Sequence, residues 1–398
     1  MIAGVSKSLF ALALASTGVC AAQEASPPQL ECAAAVLIDP ETRQVLYEHS
    51  ADEVRPVASL TKMMTALLVV ERGDLEREIV VSEQAAAVGE TTMHLTAGER
   101  IKLHDLLIGA LLPSANDAAW ACAEATAGSV EAFIELMQRR AAELGMTRTV
   151  FRNPHGLHED EHVSTARDMA ILAVEFMSHA ELRDIVAMQE ATVPWPGRPG
   201  ERRLVNRNQL LKRWDACDGI KTGYTRQAGR CLAASAFVDG WRLIAVVLGA
   251  EDAWTEGQKL LQWGFASYYK VALIARGVTR ARLQVRGGVT DTVQAQAARD
   301  VIAVLPRSQR PPEPTLVEGV CTAPVTVGEV VGRLGVTMPD GSTRTVELIA
   351  VQEVARSPWA MITGEPWALG ALAAVLALAV GVLAHGAIAE AAGAGRRR

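Results

Sequence analysis

The sequence carries no surplus of positive charge: 39 lysines and arginines face 45 aspartates and glutamates, a formal net charge of −6 over 398 residues. That removes the electrostatic footprint of a nucleic-acid binder, so no nucleic acid is expected as a partner. Cysteine is scarce as well. The six are Cys20, Cys32, Cys122, Cys217, Cys231 and Cys321, and no close pair stands at metal-ligand spacing. A chain this long does not need disulfide staples to build a core. Most of these cysteines therefore read as small, buried apolar side chains. Internal repeats are missing, and so are long low-complexity tracts outside the termini. Disorder is excluded too, because 49% of residues are hydrophobic and only 21% charged. What remains is a globular chain with room for two or three domains.

The two ends read as targeting signals. In residues 1–22, Lys7 supplies a short positive region, residues 9–15 are apolar, and small residues run on to Ala22. This is the pattern of an export signal, cut after Ala21 or Ala22. Its apolar run is shorter than the roughly 20 residues of a membrane span. Thr17-Gly18-Val19 before Cys20 fits a lipoprotein signal badly. Residues 367–389 form a stretch of 23 residues without formal charge when His385 is neutral. That length crosses about 30 Å of hydrocarbon, and the stretch is apolar all round. Trp359 and Trp367 suit the outer interface. Arg396, Arg397 and Arg398, in a basic tail over 390–398, suit a cytoplasmic end. The expectation is an exported body on the outer face of the plasma membrane, anchored by a C-terminal transmembrane helix.

Between the ends, residues 33–38 and 44–47 read as a β-hairpin around Asp39-Pro40-Glu41-Thr42. A helix is expected to start at Ser59, because Leu60, Met63, Met64, Leu67 and Leu68 recur at helical spacing before Gly73. Helical patterns continue over 104–112, over 117–145 with a break near Gly128, and over 165–177. Residues 220–222, 230–237 and 241–249 then read as successive strands, followed by a helix over 256–268. This order predicts an α+β domain over 33–271, with one largely antiparallel sheet and a helical region. Over 272–356, Val- and Thr-rich segments alternate with Gly and Pro, which predicts a small all-β spacer domain.

Three short motifs follow one another: Ser59-Leu60-Thr61-Lys62, Ser114-Ala115-Asn116 and Lys221-Thr222-Gly223. Such a set marks penicillin-binding proteins and class A β-lactamases. The chemistry explains why. A serine hydroxyl is a weak nucleophile until a base takes its proton. Lys62 lies one helical turn from Ser59, so the two side chains meet. To act near pH 7, a lysine with a reference pKa of about 10.4 must be shifted by roughly 4 kcal/mol. Burial, a helix N-terminus and a second cation such as Lys221 all push that way. The Ser59 N–H, and the N–H of Tyr224 after the third motif, are the candidate oxyanion donors. Ser114 is placed to relay a proton to the leaving amine. Asn116 is placed to bind a substrate carbonyl or to fix Lys62. Lys221 and Thr222 suit a free terminal carboxylate, and Gly223 admits close backbone approach.

The surrounding residues resemble the D-alanyl-D-alanine carboxypeptidases, the low-molecular-weight penicillin-binding proteins. The resemblance runs through RPVASLTKMMT at 55–65, Asn153-Pro154-His155-Gly156-Leu157, Thr165-Ala166-Arg167-Asp168 and DGIKTGYT at 218–225. Ala228-Gly229, Leu260-Leu261 and Gly264-Phe265 extend it over about 33–271. Residues 323–332 resemble the family's C-terminal β domain. The resemblance implies a penicillin-sensitive acyl-serine enzyme that removes the last D-Ala of peptidoglycan pentapeptides, with a role in wall maturation and cell shape. By position it makes Ser59 the nucleophile, Lys62 the proton acceptor, Ser114 the relay and Lys221 the substrate-binding lysine. The implied partners are a stem peptide ending in D-Ala-D-Ala and, as inhibitors, β-lactams. No metal or other cofactor is implied. One departure is the arginine that relatives often carry near the position of Ala253.

Rival readings are weaker. His158-Glu159-Asp160-Glu161-His162 fits zinc-peptidase spacing, but Pro154 and Gly156 upstream and three adjacent acids read as a solvated loop rather than the helix such a site needs. A β-lactamase shares the three motifs, yet no clear Glu-x-x-x-Asn segment follows Asn116 to position a deacylating water. A non-catalytic wall-binding scaffold has no need of intact Ser59, Lys62, Ser114 and Lys221. An endopeptidase acting on cross-links has the same motifs and is not separated by sequence.

Overall fold

The computed structural model describes residues 26–278, 280–338, 341–358, 370, 373–378 and 380. The expected export signal and basic tail lie outside these residues. So does most of the expected transmembrane stretch, and among the described residues no helix is long and apolar enough to cross a membrane. The chain divides into two compact units. The first runs to Tyr269 and takes in Pro306–Gln309; the second is Lys270–Leu305 with the chain from Arg310 on.

The first unit is built on a five-stranded antiparallel sheet. Its order is Val45–His49, Ala34–Ile38, Trp241–Ala250, Gly229–Val238 and Cys217–Thr225. Both faces are covered. On one side the helix Ala253–Ser267 lies so close that a Cβ at Gly264 would meet Leu37 and Leu243, and one at Gly257 would meet Leu232. On the other, Val36 and Ile38 join the core of the helical region. Double-sided burial explains why Ala34–Ile38 and most of Trp241–Ala250 are continuously apolar rather than alternating.

The central helix, Lys62–Arg72, is buried along its first eight residues and packs on Leu103–Leu111 and Asn116–Ala127. A helix with no solvated face needs apolar residues all round, which makes the buried Lys62 conspicuous. Several helix starts follow side-chain caps. Ser129 accepts from the Ala132 N–H, Thr165 from Asp168, and Asp252 from Trp254 and Thr255. Gly128, at φ 83°, ends one helix two residues before Val130–Leu144 begins, which places the expected break.

Three boundaries depart from expectation. The α-helix does not begin at Ser59. Ala58–Thr61 is a 3-10 turn and the α-helix begins at Lys62. Ala58 sits at φ 48°, outside the helical region, which tightens the entry into one short turn. The late helix begins three residues earlier than its apolar period, because Asp252 caps it. The edge strand extends to Cys217–Thr225, well beyond 220–222, because its glycines carry no apolar signal.

The second unit holds a six-stranded sheet in the order Thr315–Glu318, Val330–Thr337, Thr343–Ala350, Thr292–Ala297, Arg280–Arg286 and Val320–Thr322. All its pairs are antiparallel except the last.

Two loops of the first unit are locked together by a buried ion pair. Arg202, on the hairpin Glu190–Pro194/Glu201–Val205, meets Glu99 at 3.0 Å, with both side chains 3% exposed or less. Removing one charge strands the other in a dry site, which typically costs about 3–5 kcal/mol. Glu99→Gln is therefore expected to lower the unfolding free energy by about 3 kcal/mol in a denaturant titration of the full chain. A change within about 0.5 kcal/mol would show that the pair contributes little.

Candidate active site

The three motifs converge on one cleft of about 550 Å³. Six of the eight sequence-derived candidates line it: Ser59, Ser114, Asn116, Thr222, Gly223 and Tyr224. Lys62 and Lys221 are packed behind the wall, at 0% and 1% exposure.

Lys62 is the hub. Its Nζ lies 3.1 Å from Ser59 Oγ, 2.7 Å from Asn116 Oδ1 and 2.7 Å from the His155 carbonyl oxygen. Burial, then the charges of Lys221 and Arg207, hold its pKa well below the usual lysine range, and Asp117 opposes them more weakly. Asn116 is fixed from three sides. Its backbone N–H donates to Thr91 O at 2.7 Å, its Nδ2 donates to Gly89 O at 3.0 Å, and its Oδ1 is left for Lys62. That assigns the amide orientation and gives Asn116 the second of its two expected tasks, fixing the lysine. Asp117 turns its carboxylate away and accepts from the N–H groups of Met93 and Leu95. Ser114 stands between the helices ending at Leu111 and starting at Asn116, at φ 66°, where a non-glycine residue is strained.

The edge strand presses against the Ser59 turn. A Cβ added to Gly223 would lie 2.9 Å from Ser59 N and 3.1 Å from Ala58 Cβ, so the glycine is needed by the protein's own backbone. On the other side, a Cβ at Gly156 would lie 2.0 Å from Ala58 O, at φ 82°. Lys221 does not reach the surface of the cleft. Its Nζ donates to the Thr222 carbonyl at 2.9 Å, and burial, followed by Arg207, brings its pKa down to about 7. Thr222 and Tyr224 face outward, Tyr224 being 64% exposed.

The cleft also contains residues that motif reading missed: Glu90, Thr91, Arg207, Arg230 and Trp254. Ala253 lines it too, so the arginine looked for at that place is replaced by a methyl group. The His158–His162 segment is a loop, with His158 exposed and His162 buried against Thr61. Among the described residues, one group of potential metal ligands occurs, Glu71, Glu175 and His179, but Arg140 already occupies the two carboxylates at 2.6 and 2.9 Å. The five described cysteines are unpaired, and Cys122, Cys217 and Cys231 are buried.

The family model described as D-alanyl-D-alanine carboxypeptidase, Peptidase_S11, matches residues 21–252. The chain belongs to this family. It is 33% identical over 335 residues to the D-alanyl-D-alanine carboxypeptidase DacF of Bacillus subtilis, covering 81% of this chain and 85% of that one. It is 34% identical over 367 residues to DacC of Escherichia coli, covering 87% and 90%. Among solved structures, penicillin binding protein 5 of Haemophilus influenzae aligns with a TM-score of 0.69 at 29% identity, covering 83% of this chain and all of that one.

In this family member two histidines near the Ser59 turn are buried, and one of them, His162, braces it through Thr61. His162 Nδ1 accepts from the Arg152 N–H at 3.1 Å, which places the ring proton on Nε2, 2.8 Å from Thr61 Oγ1. Thr61 in turn donates to Ala58 O. His155 Nδ1 accepts from Leu157 N–H, and its ring stacks on Trp120. Burial is the main reason that their pKa values fall to about 4 for His162 and about 3 for His155. The unfolded chain takes up these protons near pH 6.5 and the folded chain only below pH 4. Their stabilisation is thus complete above pH 6.5 and lost as pH falls through 4. Unfolding titrations should show a loss on the order of 3 kcal/mol from His162 alone between pH 6.5 and 4, most of it abolished in His162→Gln. A flat profile there would contradict the assignment.

Proposed function

We propose that this chain is a serine-type D-alanyl-D-alanine carboxypeptidase, removing the terminal D-Ala of peptidoglycan stem peptides through an acyl-enzyme on Ser59. One observation carries the reading: a fully buried lysine amine, without a bonded carboxylate among the described residues, 3.1 Å from a serine hydroxyl that opens on a cleft. A neutral amine has two N–H donors and one lone pair. Asn116 Oδ1 and the His155 carbonyl, each at 2.7 Å, take the two donors. The lone pair is left for the Ser59 proton.

The chemistry then follows in order. Ser59 Oγ attacks the carbonyl of the penultimate D-Ala while its proton passes to Lys62 Nζ. The N–H of Ser59 and that of Tyr224 stabilise the oxyanion. The Ser59 N–H makes no backbone hydrogen bond among the described residues, so it is available. Ser114 carries the proton to the departing amine, and D-alanine leaves. Water, activated by the same lysine, releases the shortened peptide. Lys221 acts from behind the wall: its charge disfavours protonation of Lys62, and its bond to Thr222 O sets the edge strand from which Thr222 and Tyr224 meet the substrate. β-Lactams acylate Ser59 by the same first step.

The body is exported by residues 1–22 and anchored by the apolar stretch 367–389, with 33–271 as the catalytic domain and 272–356 as its β-rich spacer. The support is the composition of the two ends, together with a substrate that lies outside the cytoplasm.

Ser59→Ala should lower D-alanine release from a peptide ending in D-Ala-D-Ala by at least about 1,000-fold, and should abolish labelling by fluorescent penicillin at unchanged Tm. Release by that variant at more than a tenth of the normal rate would refute Ser59 as nucleophile. Deleting residues 367–398 should move the active, signal-cleaved enzyme from the membrane fraction to the soluble one. Continued sedimentation with membranes would refute the anchor.

A further inference from the structure

One cation in the cleft is not used by the mechanism above. Arg230 lines the cleft with Ser59 and Thr222. It pairs across the sheet with Tyr224, so the two side chains rise from the same face. Strand alternation puts Thr222 on that face as well. The guanidinium carbon lies 5.6 Å from the centroid of the Tyr224 ring and 5.5 Å from that of Trp254. Two rings at this range hold the group by cation–π attraction, and they reduce the entropy it loses on binding a ligand. No carboxylate of the chain pairs with it among the described residues. It is therefore an exposed, pre-positioned fork of donors with no anion to bind.

Lys221 does not fill that role, because its ammonium is buried and donates to a backbone carbonyl. Arg207 also lines the cleft, but its charge acts on Lys62 and Lys221, which places it at the reacting end.

We propose that Arg230 is the specificity-determining residue that reads the substrate's terminal carboxylate, through paired N–H donors with the Thr222 hydroxyl beside them. The inference rests on the carboxypeptidase reading and adds to it the group that demands a free C-terminus.

The test uses the full chain as wild type, Arg230→Gln, Arg230→Lys and Arg207→Gln. Each is assayed on a peptide ending in D-Ala-D-Ala and on the same peptide with its C-terminus amidated, following D-alanine or D-alaninamide. Wild type should prefer the acid. Arg230→Gln should lose on the order of 10- to 100-fold in kcat/KM on the acid and little on the amide, so that the preference collapses. Arg230→Lys should restore part of it. A purely structural defect would slow both substrates alike. Wild-type preference retained in Arg230→Gln, equal losses on both substrates, or a preference abolished only in Arg207→Gln would each overturn the proposal. A wild type that releases neither product would instead sink the carboxypeptidase reading, and this inference with it.

Discussion

A lysine amine without water is the constraint around which the catalytic unit is arranged. Burial disfavours the charged form of Lys62, and Lys221 and Arg207 add like-charge repulsion. Such a site is usually neutralised by a carboxylate. Asp117 is close enough to act on Lys62, yet its oxygens are engaged by the N–H groups of Met93 and Leu95. What touches the amine instead is an amide oxygen, a carbonyl and a hydroxyl, all uncharged. This satisfies the nitrogen without the opposite charge that would hold it protonated. Much of the nearby structure maintains that choice. Asn116 is held by Thr91 and Gly89, and the same loop continues to Glu99, which Arg202 anchors.

Ser59 itself is positioned by compression. Ala58 at φ 48° and Ser114 at φ 66° each occupy a region that costs of order 1–3 kcal/mol for a residue with a side chain. Such conformations persist only where the neighbours over-determine them. Gly223 and Gly156 both close on the turn, each nearer than a Cβ permits, and Thr61 ties Ala58 O back into the helix. A methyl group at either glycine would collide with the turn that carries Ser59. The distance between hydroxyl and amine is thus fixed by backbone packing rather than by the side chains alone.

Much of this was legible in the sequence, and the remainder fails for identifiable reasons. The three-residue spacing of Ser59 and Lys62, the apolar period of the central helix and the break at Gly128 are local signals, and local signals survive folding. The 3-10 entry was not legible, because it depends on a positive φ at an alanine, which composition does not announce. The turning of Lys221 into the protein was half-legible. Period-two alternation separates it from Thr222 and Tyr224, but glycines at 219 and 223 leave that face without an apolar pattern. Arg207 and Trp254 come to the cleft from a loop and a helix distant in sequence, which a single sequence does not record. Arg230 comes through the hairpin register that sets it opposite Tyr224, and the sequence shows the two strands but not that register.

The division between buried and exposed cations links binding to chemistry. A buried cation such as Lys221 acts through its field, whereas Arg230 and Arg207 are open to a ligand. Together they surround the cleft with positive charge, against Glu90 as the acid among its lining residues. That field suits an anionic ligand, and the charges of Lys221 and Arg207 within it lower the proton affinity of Lys62. On the carboxypeptidase reading, an arriving carboxylate offsets part of the field and raises that affinity again. By linkage the coupling is reciprocal: the carboxylate binds better when Lys62 is protonated, and Lys62 takes a proton more readily when the carboxylate is bound. The free enzyme therefore keeps the proton affinity of its amine low. The bound substrate strengthens it as a base at the moment Ser59 must give up its proton, and a peptide lacking the terminal charge forgoes that help.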